Sequence, residues 1–292
     1  MPLRSKATGT ETPYPPDSSS KTLGLIAGEG NLPMVVASEA KKMDYRVLAI
    51  ALQPPADESL KPFADNFYKV HIGRFGEILR LLKKFSAEQA VMVGKVSKRL
   101  LYSNKKSIVP DLRAIKLLFS LKNRTDDTFM QAISNVLKEN GIKLLKITSF
   151  TKKLLTPEGI LTKKHPKKSQ WKDIEFGWKI AKETGRLDIG QTIVVKGTAV
   201  MAVEAIEGTD EAIMRGGSLA EHGAVIIKVS KPQQDMRLDV PVVGIDTLSV
   251  MKKVNAKVLA LEAGKSIIVE KESFIKEADK AEIVVVGLIR DK

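Results

Sequence analysis

The sequence contains no cysteine, only three histidines, and few aromatic residues, which make up 5% of its 292 residues. The absence of cysteine excludes disulfides, thiolate metal sites and a cysteine nucleophile. His71, His165 and His222 are widely separated along the chain, so a histidine-based zinc cluster is not predicted. Any metal would be held by carboxylate oxygens, which favours a hard ion such as Mg²⁺ or Mn²⁺.

Long apolar runs are also lacking. No run approaches the roughly 20 residues that a membrane-spanning helix needs, and the N-terminal segment has no apolar core of the secretory-signal kind. We therefore expect a cytoplasmic protein. Residues 1–20 are rich in Pro, Ser, Thr and Gly without hydrophobic periodicity, and we interpret them as a disordered extension.

A strong positive charge is present, with a formal net charge of +14. Such a charge attracts phosphate, nucleic acid or an anionic membrane surface, although a lysine-rich surface that serves solubility explains it equally well. Residues 95–124 hold nine Lys or Arg and the single acid Asp111, but Tyr102 and Phe119 are the only aromatics there. Because this segment has few aromatic side chains that could stack on bases, a phosphate or membrane-surface role is favoured over nucleic-acid binding.

The length and the 43% hydrophobic content favour two domains. In the first half, short apolar runs alternate with amphipathic segments, which predicts an α/β fold, namely a Rossmann-like parallel-sheet domain over residues 21–156. Seven lysines and one acid between residues 152 and 172 predict a basic linker at 157–172. Residues 173–292 then form a C-terminal α+β domain of distinct topology, which we expect to be catalytic.

Glycines follow three of the predicted strands in the first domain. Gly28 and Gly30 lie between the strand 23–27 and a helix that Pro33 can open, so the backbone can approach a phosphate closely. The dinucleotide fingerprint is incomplete, because Pro33 replaces its third glycine and no acid follows about 20 residues later, which disfavours an oxidoreductase. Loops containing Gly73 and Gly94 should reach the same carboxyl edge. Tight turns without a ligand remain the alternative.

Two groups of charged residues in the second domain suit phosphoanhydride hydrolysis. The groups are Glu204, Glu207 and Asp210, and, about 25 residues later, Asp235, Arg237 and Asp239 near Lys231. This reaction needs positive charge at the phosphoryl oxygens and an oriented water, which carboxylate-held Mg²⁺ with Lys and Arg can supply. A solvated acidic surface is the alternative. Asp126 and Asp127 likewise suit either the start of a helix or a metal or sugar contact.

Together these motifs resemble the LpxI family of UDP-2,3-diacylglucosamine pyrophosphatases of lipid A biosynthesis, which lack the metallophosphoesterase fold. The resemblance runs from about Leu23 to the C-terminus. It rests on the segments LGLIAGEGNLP, IGRFGEIL, GKVSKR, PDLR, TDDTFM, GRLDIGQTIVV, AVEAIEGTDEAI, KPQQDMRLDVPVVG and LEAGKSI.

The resemblance implies a Mg²⁺-dependent (or Mn²⁺-dependent) homodimer that hydrolyses UDP-2,3-diacylglucosamine to 2,3-diacylglucosamine 1-phosphate and UMP, with water attacking the α-phosphorus. It implies peripheral association with the inner membrane, and no nucleic-acid partner is expected. The implied catalytic residues are Asp239, Asp210, Lys231 and Arg237, and the implied metal ligands are Asp239, Glu207 and Asp235. The implied substrate-binding residues are Gly28, Gly30, Leu32, Gly73, Gly94, Asp126, Asp127 and Gln191. A non-catalytic basic protein that binds nucleotides or nucleic acid is the alternative function.

Overall fold

The computed structural model describes residues 21–54, 58–96, 111–119, 126–234 and 240–290. The chain divides between Thr151 and Lys152 into two compact units. Within the described ranges, no helix combines the length and the apolar composition needed to cross a bilayer.

The first unit is built on a five-stranded parallel sheet. Its strands are β1 (Lys21–Ala27), β2 (Tyr45–Gln53), β3 (Asn66–His71), β4 (Gln89–Val93) and β5 (Lys143–Leu144), and its helices are α1 (Leu32–Lys42), α2 (Phe75–Lys84), α3 (Leu112–Phe119), α4 (Asp126–Glu139) and α5 (Thr148–Thr151). The strand order is β3-β2-β1-β4-β5. The chain therefore moves outward from β1 on one side and then continues from β4 on the other, which makes the gap between β1 and β4 the topological switch point.

The sequence explains the central position of β1. Its last five residues are all buried, as expected for a strand covered on both faces of a parallel sheet. In α2, Ile78, Leu79 and Leu82 are buried at helical spacing. One carboxylate joins two of the helices: Asp111 accepts hydrogen bonds from the backbone N–H of Gly76 in α2 at 2.7 Å and of Ala114 in α3 at 2.8 Å.

The second unit contains a six-stranded mixed sheet and a separate two-stranded ladder. Its strands are β6 (Gly159–Ile160), β7 (Thr192–Lys196), β8 (Ala199–Val203), β9 (Val225–Lys228), β10 (Val242–Val243), β11 (Val258–Glu262), β12 (Ile267–Ile268) and β13 (Val284–Leu288). Its helices are α6 (Lys168–Arg186), α7 (Thr209–Leu219), α8 (Ile245–Lys253) and α9 (Lys271–Lys280). The order is β6-β13-β11-β9-β7-β8, and β10 pairs with β12. Strands β9, β11 and β13 are parallel.

Helices cover both faces of this sheet. On one face, Ile174 and Trp178 of α6 pack with Ile193 and Ile227 of the sheet. On the other face, the apolar sides of α7, α8 and α9 form the larger core of the unit, which includes the fully buried Phe274. The sheet residues therefore alternate between two apolar cores, and the polar ends of the strands are left to form sites.

The predicted fold class is confirmed: a parallel-sheet first unit precedes a second unit with its own mixed sheet. Within the predicted linker, 157–172, β6 pairs antiparallel with β13. Helix α6 begins at Lys168, five residues before the predicted start of the second domain at Asp173. The linker residues therefore include elements of the second unit. The predicted extension, residues 1–20, lies outside the described residues.

A matched pair of leucines tests the packing of the second unit. Leu248 of α8 is 1% exposed and Leu219 of α7 is 64% exposed. Leu248→Ala should lower the free energy of unfolding by about 2–5 kcal/mol, because it removes buried methyl groups and leaves a cavity. Leu219→Ala should change it by less than about 0.5 kcal/mol.

Tryptophan fluorescence during urea unfolding is a suitable measurement. The sequence has two tryptophans, and both, Trp171 and Trp178, lie in α6. The signal therefore reports on the second unit. Equal losses for the two substitutions would contradict the burial of Leu248.

Candidate functional site

At the switch point of the first unit, the backbones after β1 and β4 approach too closely for side chains. Glu29 and Lys95 exchange backbone hydrogen bonds of 2.9 and 2.8 Å. A Cβ atom on Gly28 would lie 2.6 Å from the carbonyl oxygen of Lys95, and one on Gly94, whose φ is +98°, would lie 2.7 Å from the carbonyl carbon of Gly28. Both positions therefore require glycine.

The other predicted residues of the first unit occupy different surroundings. Gly30 is exposed in the turn before α1, whereas Leu32 is 6% exposed and packs into the core. Gly73 follows β3, two strands away from β1, at a distance of about 10 Å along the sheet. Asp126 and Asp127 are the first two residues of α4, where only their backbone is described. The structure thus brings Gly28, Gly30 and Gly94 together, but not Gly73.

Helix α1 begins at this turn and presents a positive helix end. Asn31 provides no side-chain cap, and the first turn carries no acidic residue. The first N–H groups of a helix lack intrahelical partners and favour anions. The turn and the helix end together suit a phosphate group.

In the second unit, a buried carboxylate lies at the carboxyl end of β11. Glu262 is 3% exposed. It accepts hydrogen bonds from Lys182 Nζ at 2.5 Å and from the backbone N–H of Ser230 at 2.8 Å, and Lys265 Nζ lies 3.0 Å away. Because the charge is both paired and hydrogen-bonded, the interior can hold it.

These contacts fix the chain that leads into residues 235–239. Lys182 Nζ also donates to the carbonyl oxygen of Ser230 at 2.9 Å. The Gln234 side-chain oxygen accepts from the backbone N–H of Lys231 at 2.9 Å. Lys231 is 8% exposed and forms an ion pair with Asp188. Beyond the segment, Val240 is again buried. The predicted residues Asp235, Arg237 and Asp239 lie outside the described residues.

A second buried polar group lies at the end of β9. Lys228 is 6% exposed, and its Nζ donates to Thr209 Oγ1 at 2.9 Å and to the carbonyl oxygen of Val242 at 3.1 Å. Thr209 Oγ1 donates to Glu204 Oε1 at 2.8 Å, and Glu204 is 9% exposed. Three elements, β9, α7 and β10, therefore meet at one ammonium group.

Gln191 stands beside this group at the entry to β7. Its backbone N–H donates to Glu204 Oε2 at 3.3 Å. A Cβ atom on the preceding residue, Gly190, would lie 2.0 Å from the carbonyl oxygen of Glu204, so the close approach needs glycine here. The side-chain oxygen of Gln191 is buried and accepts no hydrogen bond within the described part of the chain. A buried acceptor of this kind can receive a donor from water or a ligand.

Two further predicted acids lie near the start of α7: Glu207 precedes the helix and Asp210 belongs to it. Asp210 is half-buried in its first turn. Glu207 is exposed, and Arg215 donates to it at 2.7 Å. Partial burial raises the pKa of Glu207, but the hydrogen bond and charge of Arg215 outweigh this effect and hold the pKa below its ordinary value. Glu207 is therefore ionised at neutral pH and paired with Arg215.

The described residues do not by themselves form a magnesium site. No group of three or more His, Asp or Glu side chains in these ranges is placed to hold a metal ion. Glu207 is already bonded to Arg215, and the other two predicted ligands, Asp235 and Asp239, lie outside the ranges described. The predicted metal site therefore depends on those two aspartates.

Lys182, Asp188, Lys228 and Glu262 were not predicted from the sequence as part of a site. Lys228 and Glu262 had a visible signal, since each is a charged residue that directly ends an apolar run, at 225–228 and 258–262. A charged side chain at the end of a buried strand needs a partner. Lys182 and Asp188 carry no such signal in the sequence.

The fold and these sites define a two-unit α/β protein with a glycine turn before a helix N-terminus in the first unit and a buried charge cluster in the second. The family model of the LpxI N-terminal domain matches residues 22–154, and that of the LpxI C-terminal domain matches residues 157–286. UDP-2,3-diacylglucosamine pyrophosphatase LpxI of Caulobacter vibrioides is 32% identical over 281 residues, covering 92% of this chain and 98% of the relative. The chain belongs to the LpxI family.

Two solved structures of N5-carboxyaminoimidazole synthetases show a weaker likeness. The ADP complex of N5-carboxyaminoimidazole ribonucleotide synthetase is 15% identical and has a TM-score of 0.24, with 60% of this chain and 32% of that chain covered. The Staphylococcus aureus enzyme with ADP is 16% identical and also has a TM-score of 0.24, with 70% and 46% covered. At these scores neither structure bears on the fold or the function.

Two glutamates test the buried charge cluster. Glu262→Ala should lower the free energy of unfolding by about 2–4 kcal/mol, because it leaves the partly buried Lys182 and the Ser230 N–H without their carboxylate. Glu183→Ala in α6 breaks an exposed pair with Arg186 and should cost less than about 1 kcal/mol. Urea unfolding followed by tryptophan fluorescence measures both. Similar costs for the two variants would show that the Glu262 contacts contribute little to stability.

Proposed function

We propose that this protein hydrolyses the pyrophosphate bond of UDP-2,3-diacylglucosamine in lipid A biosynthesis. Water attacks the α-phosphorus, the bond from that phosphorus to the bridging oxygen breaks, and a proton leaves the water. The products are UMP, which carries the oxygen of the water, and 2,3-diacylglucosamine 1-phosphate. The observation that carries this proposal is the similarity to the Caulobacter pyrophosphatase over 98% of its length, with both family domains matched.

The charged residues of the second unit suit this chemistry. Asp239 is assigned to positioning the metal or the water, and Glu207, Asp210 and Asp235 are assigned as its acidic neighbours. Lys231 and Arg237 are assigned to the pyrophosphate oxygens, where positive charge stabilises the transition state. The buried Lys231 would have to exchange its ion pair with Asp188 for this contact. The network around Ser230, Lys231 and Gln234 supports this assignment, because it anchors the chain immediately before Asp235.

The turn in the first unit is assigned to the nucleotide or sugar part of the substrate. The backbone hydrogen bonds between Glu29 and Lys95 fix the turn, and α1 directs its positive end to the same place. Leu32 packs inward, and we keep it as a residue that shapes the turn. Gln191, whose buried side-chain oxygen accepts no hydrogen bond from the described residues, is assigned to a substrate contact, whereas Gly73, Asp126 and Asp127 remain predictions from the family resemblance.

Magnesium or manganese dependence is part of the proposal. When bound by Asp239, Asp235 and Glu207, the ion would neutralise charge on the phosphoryl oxygens. Glu207 would have to exchange its bond to Arg215 for the metal, so it is the weakest member of this set.

Release of UMP from purified protein tests the reaction. The wild type should release UMP from UDP-2,3-diacylglucosamine with Mg²⁺ and lose the activity in EDTA. Asp239→Ala should lower the rate by about 10²–10⁴-fold, the usual contribution of such a group. Asp246→Ala, which changes an exposed aspartate of α8 outside the assigned site, is the matched control. Folded wild-type protein that releases no UMP would overturn the proposal and favour the non-catalytic binding function.

We further propose that the protein is a cytoplasmic homodimer that associates peripherally with the inner membrane. The net charge of +14 supports the membrane contact, since anionic lipid attracts Lys and Arg by about 1 kcal/mol each. In vesicle flotation, the protein should bind anionic but not neutral vesicles at about 0.1 M salt and be released at about 1 M, where the Debye length falls to about 3 Å. Equal binding to both vesicle types would exclude this attraction. The dimer remains a prediction from the family resemblance.

A further inference from the structure

The ammonium group of Lys228 joins Thr209, the first residue of α7, to β10. Its Nζ donates to Thr209 Oγ1 at 2.9 Å and to the carbonyl oxygen of Val242 at 3.1 Å. We propose that Lys228 is a positioning residue for the hydrolytic reaction, which holds the N-terminus of α7 and β10 in the arrangement that the reacting groups need. This inference rests on the proposed function.

The burial of Lys228 is costly, and its partners do not neutralise its charge. The side chain is 6% exposed. Lys182 and Lys231, at the same edge of the sheet, each pair with a carboxylate, but none of the ion pairs among the described residues includes Lys228. Buried charges add little net stability compared with apolar side chains of the same size. Stability alone therefore does not explain a lysine at this position, and its two contacts assign it a role in fixing the elements that it joins.

The two elements that Lys228 joins are the ones next to the assigned acids. Thr209 directly precedes Asp210 in α7, and β10 follows Asp239 in the chain, with Val242 three residues beyond it. Fixing Val242 therefore restrains the chain that follows Asp239 in the sequence. One ammonium group thus restrains the chain beside both assigned acids.

The hydroxyl of Thr209 has a single possible orientation in this group. An ammonium group can only donate, so Thr209 Oγ1 accepts from Lys228 and must use its own hydrogen for Glu204, whose Oε1 lies 2.8 Å away. Glu204 in turn accepts from the backbone N–H of Gln191. The relay Lys228–Thr209–Glu204 therefore reaches from β9 to the entry of β7, where a substrate contact is assigned.

Lys228→Met and two substitutions of Thr209 test the proposal. Lys228→Met keeps the length of the side chain without its charge, Thr209→Val keeps the shape without the hydroxyl, and Thr209→Ser keeps the hydroxyl. We expect Lys228→Met and Thr209→Val to lower kcat for UMP release by about 10–100-fold, because small displacements of reacting groups have effects of this size. KM should change by less than about threefold, and Thr209→Ser should restore kcat to within about threefold of the wild type.

The double variant and a control separate positioning from general destabilisation. Lys228→Met combined with Thr209→Val should lose little more kcat than either single variant, since both break the same contact. Lys253→Met, which changes an exposed lysine of α8, should match the wild type. Tryptophan fluorescence confirms that each variant is folded. A folded Lys228→Met with wild-type kcat, or Thr209→Ser as impaired as Thr209→Val, would overturn the inference.

Hydrogen exchange tests the positioning without relying on activity. In Lys228→Met, the backbone amides of residues 205–212, 240 and 242–245 should exchange faster than in the wild type, while those of α6 should be unchanged. Unchanged exchange in both segments would overturn the inference even if kcat fell. If the wild type releases no UMP, the proposed function fails, and the exchange result still decides whether Lys228 holds these two elements together.

Discussion

The architecture of the second unit depends on how it accommodates charge at the ends of buried strands. Strands β9 and β11 are covered on both faces by helices, yet they end in Lys228 and Glu262. Neither group can reach bulk water, so each must find partners inside the fold. Glu262 finds two lysines and a backbone N–H, and Lys228 finds a hydroxyl and a carbonyl oxygen. Each set of partners comes from several elements, and these elements are thereby held together.

The fold was largely predictable from the sequence because its strands are short apolar runs. The run at 23–27 predicts β1 within two residues, and glycines and polar residues end most strands clearly. The ends of strands that are set by pairing with a neighbouring strand were harder to predict from the sequence. Strand β5 pairs with β4 only at Lys143 and Leu144, and the two-residue β6 pairs only with β13. Such pairing is a property of neighbours in space and leaves little trace in a local pattern.

In the candidate site, too, some features could be predicted from the sequence and others could not. The close approach of Gly28 and Gly94 was foreseeable from glycines placed directly after predicted strands. The contacts of Lys228 with Thr209 and of Lys182 with Glu262 join residues 19 and 80 positions apart, so no spacing rule could identify them. The charges in the sequence pointed to residues 231–239, but the residues that hold Ser230, directly before them, come from α6 and β11.

Strand β6 has a consequence for dividing this protein into fragments. Gly159 and Ile160 pair with Gly287 and Val286, and together they cover one margin of the six-stranded sheet. A fragment that started at α6, a natural choice from the helix boundaries, would leave the N–H and C=O groups of β13 unpaired over an apolar strand. Uncovered edges of this kind recruit strands from other molecules. Such a fragment would self-associate through β13, so a separately produced second unit should retain residues 152–167.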